Sequence, residues 1–317
     1  MPLDPQAVTF LKLLAQAGQP PINELPVAQA RVLTEALRDL GGPSIPVARA
    51  EDRLLKGPGG PLRIRVYTPE GTGPFPIVMY FHGGGWTLAS VEVVDPTCRR
   101  LCAGTGAIVV SVDYRLAPEH KFPAAPEDCY TATTWVARHA AELQGNPHHL
   151  AVCGDSAGGN LAAAVCLMSR DRGGPAIACQ VLAYPPMANA FDTPSYRENA
   201  EGYFLTREMM QWFWGQYLTR PEDGCHPYAS PLQAERFSGL PPALVLTAEF
   251  DPLRDEGETY ASRLRQAQVP VRQVRYEGIV HGFFTLGGVM EQGMRALDEA
   301  CTTLREVFAG RRLRAWS

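Results

Sequence analysis

The sequence predicts an α/β fold in which helices flank a mostly parallel sheet. Two observations lead to this prediction: short apolar runs alternate with helical patterns along most of the chain, and two mainly helical segments interrupt that alternation. Strands that alternate with helices form parallel sheets, because each helix carries the chain back to the edge where the strand began. With 317 residues, the chain is long enough for one large domain that carries a lid.

Seven strands are predicted, because seven short runs of apolar, β-branched or aromatic residues are bounded by Gly, Pro or polar residues. They cover residues 62–67, 76–81, 107–113, 150–153, 179–183, 243–250 and 271–276. The first run alternates apolar and polar residues and is expected to be half exposed, whereas the others are expected in the core. Helical spacing of apolar residues predicts helices between the strands, at 95–103, 126–142, 160–170, 256–267 and 290–308.

Two segments stand outside this alternation. Residues 1–45 carry two amphipathic helical patterns, and residues 187–238 form an insertion rich in aromatic residues between two predicted strands. We expect these two segments to pack together as a helical cap. The sheet core is then divided into a first part at residues 46–186 and a second part at residues 239–317.

The most informative motif is Gly-Asp-Ser-Ala-Gly-Gly at residues 154–159, directly after an apolar run. It matches Gly-x-Ser-x-Gly, the pattern of a serine on a sharp turn from strand to helix, where only glycines leave room for the backbone. A serine hydroxyl is a weak nucleophile until a base takes its proton. Ser156 therefore predicts a histidine, an acid and donors for an oxyanion elsewhere in the chain.

The donors are predicted at residues 82–86, His-Gly-Gly-Gly-Trp, which follow a predicted strand. Glycines lack a Cβ, so their amide N–H groups can approach a ligand closely. In hydrolases with a serine elbow, such a loop and the residue after the serine stabilise the oxyanion of the tetrahedral intermediate. The candidate donors are the amides of Ala157 and Gly84, with one or both of Gly83 and Gly85.

Chain order selects the base and the acid. In folds with a serine elbow, the acid follows the serine and the histidine follows the acid. Asp251 lies at the carboxyl end of the predicted strand 243–250, where functional residues of α/β sheets gather. Only His226 and His281 follow Ser156, and His226 precedes Asp251. These constraints predict Asp251 as the acid and His281 as the base.

Other carboxylates and histidines have alternative interpretations. Asp255 lies one turn beyond Asp251, in the first turn of a predicted helix, where the helix dipole favours a carboxylate. Glu249 falls inside a strand. Asp155 neighbours the serine, but adjacent side chains on a sharp elbow point apart, so it is expected to anchor the glycine loop or the cap. His82 precedes the serine and is expected to be a structural partner of the glycine loop.

Five motifs resemble the hormone-sensitive-lipase family of α/β-hydrolases, in particular its microbial carboxylesterases, including those of thermophiles. They are His-Gly-Gly-Gly-Trp at 82–86, Asp-Tyr-Arg-Leu-Ala-Pro-Glu at 113–119, Gly-Asp-Ser-Ala-Gly-Gly at 154–159, Asp-Pro-Leu-Arg-Asp at 251–255 and His-Gly-Phe at 281–283. The resemblance extends from about residue 62 to residue 308. It implies an α/β-hydrolase fold with an eight-stranded sheet.

The resemblance also implies an activity. It is that of an esterase without cofactor or metal, which hydrolyses short- to medium-chain acyl esters through an acyl-enzyme. Ser156 would be the nucleophile, His281 the base and Asp251 the acid. Two other functions stay open: an amide-directed hydrolase with the same machinery, and a non-catalytic ligand receptor, which would be expected to lack part of the triad.

The insertion supplies candidates for a substrate pocket. We hypothesise that the cap covers Ser156 with an apolar inner side that holds the acyl chain and excludes water. The same aromatic residues could instead form an ordinary helix core, and a helix that is apolar nearly all round can do both. The best candidates for pocket residues are Phe204, Leu205, Met210 and Phe213.

Composition restricts partners and compartment. A formal net charge of −4 gives no sign of a nucleic-acid partner or of a basic membrane-binding surface. The start of the chain shows neither a signal peptide nor an apolar stretch long enough to span a membrane. Eight scattered cysteines without a Cys-x-x-Cys pair are expected to be reduced thiols, which favours the cytoplasm. The expected partner is a small-molecule ester, and the chain is expected to be a monomer or a homodimer.

Overall fold

The computed structural model describes residues 2–311 and residue 313. Its sheet has eight strands: β1 Arg49–Gly57, β2 Gly60–Thr68, β3 Phe75–Phe81, β4 Ile108–Val112, β5 Gly145–Asp155, β6 Cys179–Ala183, β7 Ala243–Phe250 and β8 Val271–Val280. Their order across the sheet is β1-β2-β4-β3-β5-β6-β7-β8. β2 runs antiparallel to both of its neighbours, β1 and β4. The other six strands, β3 to β8, are parallel to one another. The predicted mostly parallel sheet of eight strands is confirmed.

Strand β1 is the one strand of the sheet that was not among the seven strands predicted individually from the sequence. It lies at the edge of the sheet, where most of its residues are exposed or half-buried, and it carries charged residues such as Arg49, Glu51, Asp52 and Arg53. A charged edge strand has no apolar pattern to reveal it, and its charges discourage pairing with another chain. A tight turn after Gly57 joins it to β2.

Nine helices are described: α1 Pro5–Gln16, α2 Val27–Glu35, α3 Asp95–Thr105, α4 Ala124–Arg138, α5 Ala157–Arg172, α6 Pro194–Glu198, α7 Arg207–Tyr217, α8 Arg254–Gln266 and α9 Glu291–Phe308. Helices α4, α5 and α8 contribute to the apolar core on one face of the sheet. Helices α3 and α9 contribute to the core on the other face. In the described part of the chain, no helix is both long and apolar enough to cross a membrane.

The central strand β3 shows how the sheet is buried on both faces. Ile77, Met79 and Phe81 belong to the core with α4 and α5, whereas Val78 and Tyr80 belong to the core with α3 and α9. Successive side chains of a strand point to opposite faces, so a strand covered on both sides is apolar at every position. This burial fixes the carboxyl end of β3, from which the glycine loop at residues 82–86 begins.

Candidate active site

Ser156 lies on the turn between β5 and α5 with φ +52° and ψ −123°. This conformation is strained for any residue with a side chain. The glycines on either side permit it: a Cβ on Gly154 would lie 2.2 Å from the Gly158 carbonyl oxygen, and one on Gly158 would lie 1.9 Å from the Phe81 carbonyl oxygen. The Ser156 N–H donates to the Ala183 carbonyl at 2.8 Å, which ties the turn to the end of β6.

A chain of two hydrogen bonds runs from this serine to a buried carboxylate. Ser156 Oγ lies 3.0 Å from His281 Nε2, and His281 Nδ1 lies 2.7 Å from Asp251 Oδ2. The other oxygen, Oδ1, accepts a hydrogen bond from the Leu253 N–H at 2.8 Å. An ionised carboxylate only accepts hydrogen bonds, so Nδ1 carries the ring proton and Nε2 is left to accept from the serine. This arrangement can withdraw the hydroxyl proton.

The alternative acids have other partners. Asp255 Oδ2 accepts from the Ser195 N–H at 2.8 Å, so this carboxylate binds the start of α6. Glu249 Oε2 accepts from the N–H of Gly278, a residue of the edge strand β8, at 2.6 Å. The structure therefore brings together the three side chains that chain order selects, and Asp251 is the carboxylate beside the imidazole.

The glycine loop is held from beneath by hydrogen bonds. Asp155 Oδ1 accepts from the Gly83 N–H at 3.1 Å and from the Tyr80 hydroxyl at 2.7 Å. His82 Nδ1 lies 2.8 Å from the Gly83 carbonyl oxygen, and the Tyr114 hydroxyl donates to the His82 carbonyl at 2.7 Å. These contacts confirm that Asp155 anchors the glycine loop and that His82 is a structural partner of it.

This anchoring corrects the prediction for Gly83. Its N–H already donates to Asp155, so it does not point toward the serine. Within residues 2–311 and 313, by contrast, no protein acceptor takes the N–H groups of Gly84, Gly85 or Ala157. Gly84 and Gly85 have φ values of +100° and +58°, which turn these amides away from the path of an ordinary strand. The candidate oxyanion donors are therefore these three residues.

Burial changes the electrostatics of the loop. It raises the pKa of Asp155 to about 6, although the bonds from Tyr80 and Gly83 oppose that shift. It lowers the pKa of His82, so this ring stays neutral beneath the loop. The N-terminus of α5 points its free N–H groups at Ser156, where they favour developing negative charge.

A mostly apolar cavity opens onto Ser156. The four predicted pocket residues, Phe204, Leu205, Met210 and Phe213, all line it. Sequence reasoning did not name as pocket residues the other apolar residues of the wall, which come from the N-terminal segment, the glycine loop and the residues after it, the end of β6 and helix α7: Ile22, Leu37, Trp86, Leu88, Ala89, Val93, Val94, Tyr184, Pro186 and Met209. The second amphipathic pattern of residues 1–45, which includes Leu37, was the available signal for that residue.

Glu256 on α8 is a further buried carboxyl, and it holds the start of the insertion. Its Oε2 accepts hydrogen bonds from the N–H groups of Met187 and Ala188, which follow β6. Burial nevertheless raises the pKa of Glu256 to about 8. The group therefore keeps its proton in the folded protein at a pH where an exposed glutamate is ionised.

The raised pKa of Glu256 predicts how stability depends on pH. Between about pH 5 and about pH 8 Glu256 binds more protons in the folded chain than in the unfolded chain, so its contribution to the free energy of unfolding should fall as the pH rises. Glu256→Gln keeps an acceptor for both N–H groups but does not titrate, so its loss over this range should be smaller by about 3 kcal/mol. Urea unfolding at several pH values measures this difference. Glu291→Gln, at an exposed position, is the control, and equal pH slopes for wild type and Glu256→Gln would refute the assignment.

Comparisons with known proteins agree with this fold. A family model described as the alpha/beta hydrolase fold matches residues 78–285. Carboxylic ester hydrolase LipN of Mycobacterium tuberculosis is 44% identical over 283 residues, which are 86% of this chain and 74% of that protein. The arylesterase of Saccharolobus solfataricus is 38% identical over 284 residues, which are 89% of this chain and 92% of that protein.

Solved structures give the same result. The esterase of Pyrobaculum calidifontis has a TM-score of 0.90 at 44% identity, over 96% of this chain and 99% of that one. The ester hydrolase EH1AB1 from the metagenome of Lake Arreo has a TM-score of 0.93 at 40% identity, over 97% of this chain and 99% of that one. The chain therefore belongs to the hormone-sensitive-lipase family of α/β-hydrolases and is a carboxylesterase.

Proposed function

We propose that this carboxylesterase hydrolyses short- to medium-chain acyl esters through an acyl-enzyme formed on Ser156. The observation that carries the proposal is the line of hydrogen bonds from Ser156 through His281 to Asp251, at 3.0 and 2.7 Å. A receptor built on this fold would not require all three side chains in bonding distance. Their geometry supports an enzyme.

The reaction begins with attack of Ser156 Oγ on the ester carbonyl carbon, while His281 Nε2 takes the hydroxyl proton. The carbonyl oxygen gains negative charge and is stabilised by the amides of Gly84, Gly85 and Ala157. Asp251 fixes the ring tautomer and stabilises the imidazolium cation. The alcohol leaves with the proton from Nε2, which completes the acyl-enzyme. Water then attacks the acyl carbon with the same base, and the acid product and Ser156 are released.

The cap is proposed to consist of residues 1–45 and 187–238. Phe10 of α1 packs edge-on against Phe204 of the insertion at 5.3 Å between ring centroids, so the two segments meet. Both segments contribute to the cavity wall. Covering the serine in this way would exclude bulk water and strengthen the electrostatic stabilisation of the oxyanion.

Arg31 anchors helix α2 over the site. Arg31 donates to the carbonyl oxygens of Thr87 and Ala117, each at 2.9 Å, and makes two bonds to the Glu119 carboxylate at 2.8 and 2.6 Å. Thr87 follows the glycine loop directly, so this helix is anchored to the backbone that carries the oxyanion donors. This contact supports the inclusion of the N-terminal segment in the cap.

Covalent labelling tests the proposed function. A p-nitrophenyl alkylphosphonate should react with one site per chain, and peptide mass analysis should place the adduct on Ser156. Ser156→Ala should remain unlabelled under the same conditions. Labelling on another residue, or no labelling of a chain that hydrolyses esters, would exclude the mechanism.

Acyl-chain preference is predicted to depend on Met210. Its side chain is 2% exposed and lines the cavity, so truncation to alanine extends the space available to an acyl chain. For Met210→Ala we expect the preferred p-nitrophenyl ester to become longer by about two carbons, because each added CH₂ then gains about 0.8 kcal/mol of burial. A series of acyl lengths measures this, with Met168→Ala as a control for the loss of a buried methionine on α5. An unchanged length profile would remove Met210 from the acyl pocket.

A further inference from the structure

Tyr184, directly after β6, has a backbone conformation that its residue type does not explain. Its φ is +38°, which is in the left-handed region. Residues with bulky side chains rarely adopt this region, which favours glycine. Its N–H donates to the Leu246 carbonyl at 2.6 Å, so the strained residue is fixed to the neighbouring strand β7. Strained residues of this kind persist where the surrounding structure imposes them, and they cluster at functional sites.

The strained backbone places the Tyr184 ring against the imidazole of His281. The ring centroids are 4.5 Å apart with an interplanar angle of 56°. The tyrosine ring also contacts Phe283, at 5.3 Å between centroids. Tyr184 is fully buried and also lines the cavity at Ser156. The imidazole thus packs against a ring that is itself buried and packed against a second aromatic residue.

The contact between Tyr184 and the imidazole of His281 becomes important during the reaction. In the resting site, hydrogen bonds at both ring nitrogens hold the imidazole, one to Asp251 and one to Ser156. Once Ser156 Oγ bonds to the acyl carbon, it no longer donates to Nε2. The bond to Asp251 and the contact with Tyr184 are still in place at that moment, when Nε2 must deliver its proton to the departing alcohol.

We propose that Tyr184 is a positioning residue that keeps His281 Nε2 aimed at the leaving group after Ser156 has attacked. The proposal rests on the serine mechanism given above and assigns to Tyr184 a part of it that the hydrogen bonds do not supply. Loss of the aromatic ring should therefore impair proton delivery more than proton removal. A residue that only shaped the cavity or supported the fold would not discriminate between these two steps.

The test uses aryl butyrates with p-nitro, p-chloro and p-methyl substituents. They share one acyl group and similar shapes, but their leaving groups differ in basicity, so only the more basic ones need a well-placed acid. For Tyr184→Ala we expect kcat/KM to fall about tenfold for the p-nitrophenyl ester and about a hundredfold for the p-methylphenyl ester. Tyr184→Phe keeps the ring and should retain the ratio of the two values found in the wild type.

Two controls make the result specific. Met210→Ala removes another part of the cavity wall and should change kcat/KM for all three esters by a common factor. Titration with the phosphonate gives the concentration of intact sites, so that rates refer to folded enzyme. An unchanged ratio between the esters in Tyr184→Ala would overturn the positioning role even if all rates fell. Failure of the wild type to label at Ser156 would instead overturn the serine mechanism, so the two failures are distinguishable.

Discussion

Ser156→Ala is expected to lower kcat for a p-nitrophenyl ester by about 10⁵-fold, the largest effect predicted for any single change. Alanine cannot form the acyl-enzyme, and the remaining donors stabilise only the direct attack of water. The site around the missing hydroxyl should persist, because the elbow conformation depends on Gly154 and Gly158 and on the backbone bond to Ala183. KM should therefore change by much less than kcat, and steady-state kinetics would show that difference.

A double variant of Ser156 and His281 provides a stricter test, because the effects of the two substitutions on kcat should not add. Ser156 and His281 act in one step, so the double variant Ser156→Ala/His281→Ala should be about as slow as either single variant. Ser169→Ala is a matched control, because Ser169 lies on α5, the helix that follows Ser156, and its hydroxyl donates to the Pro175 carbonyl. It should keep the wild-type rate. A Ser156→Ala enzyme with more than a tenth of wild-type turnover would contradict the mechanism.

The position of the triad was predictable because it follows from rules that act along the chain. A serine between glycines must lie on a turn, parallel strands place their carboxyl ends at one edge, and the order of acid and histidine excludes His226. These rules use residue types and spacing only. The same holds for the strands, whose apolar runs record burial on both faces.

The features that escaped prediction depend on side-chain direction or on backbone conformation. The N–H of Gly83 is taken by Asp155 because that carboxylate points back under the loop, and spacing does not reveal this. The residue type at position 184, a tyrosine, does not indicate its left-handed backbone conformation. Strand β1 escaped for a different reason: its exposed, charged residues pair through the backbone and leave no apolar pattern.

Gly84 was predictable from a sequence motif, but only its backbone conformation explains why this position must be glycine. Its φ is +100°, and a Cβ built on it would lie 2.3 Å from the Leu88 carbonyl oxygen. The loop cannot open easily to make room, since the N–H groups of Thr87 and Leu88 donate to the Gly84 carbonyl at 3.0 and 2.8 Å. An alanine at this position must therefore displace the backbone that carries the oxyanion donors.

For Gly84→Ala we expect kcat to fall about 10³-fold, the effect of losing an oxyanion donor, with a small change in KM because the donors act mainly on the transition state. The free energy of unfolding should fall by about 1–3 kcal/mol from backbone strain. Gly106→Ala is the matched control: Gly106 has φ +65°, but no atom lies within 4 Å of its added Cβ. It should lose stability and keep its rate. If both variants lost stability and Gly84→Ala kept its kcat, the amides of this loop would not be the groups that stabilise the oxyanion.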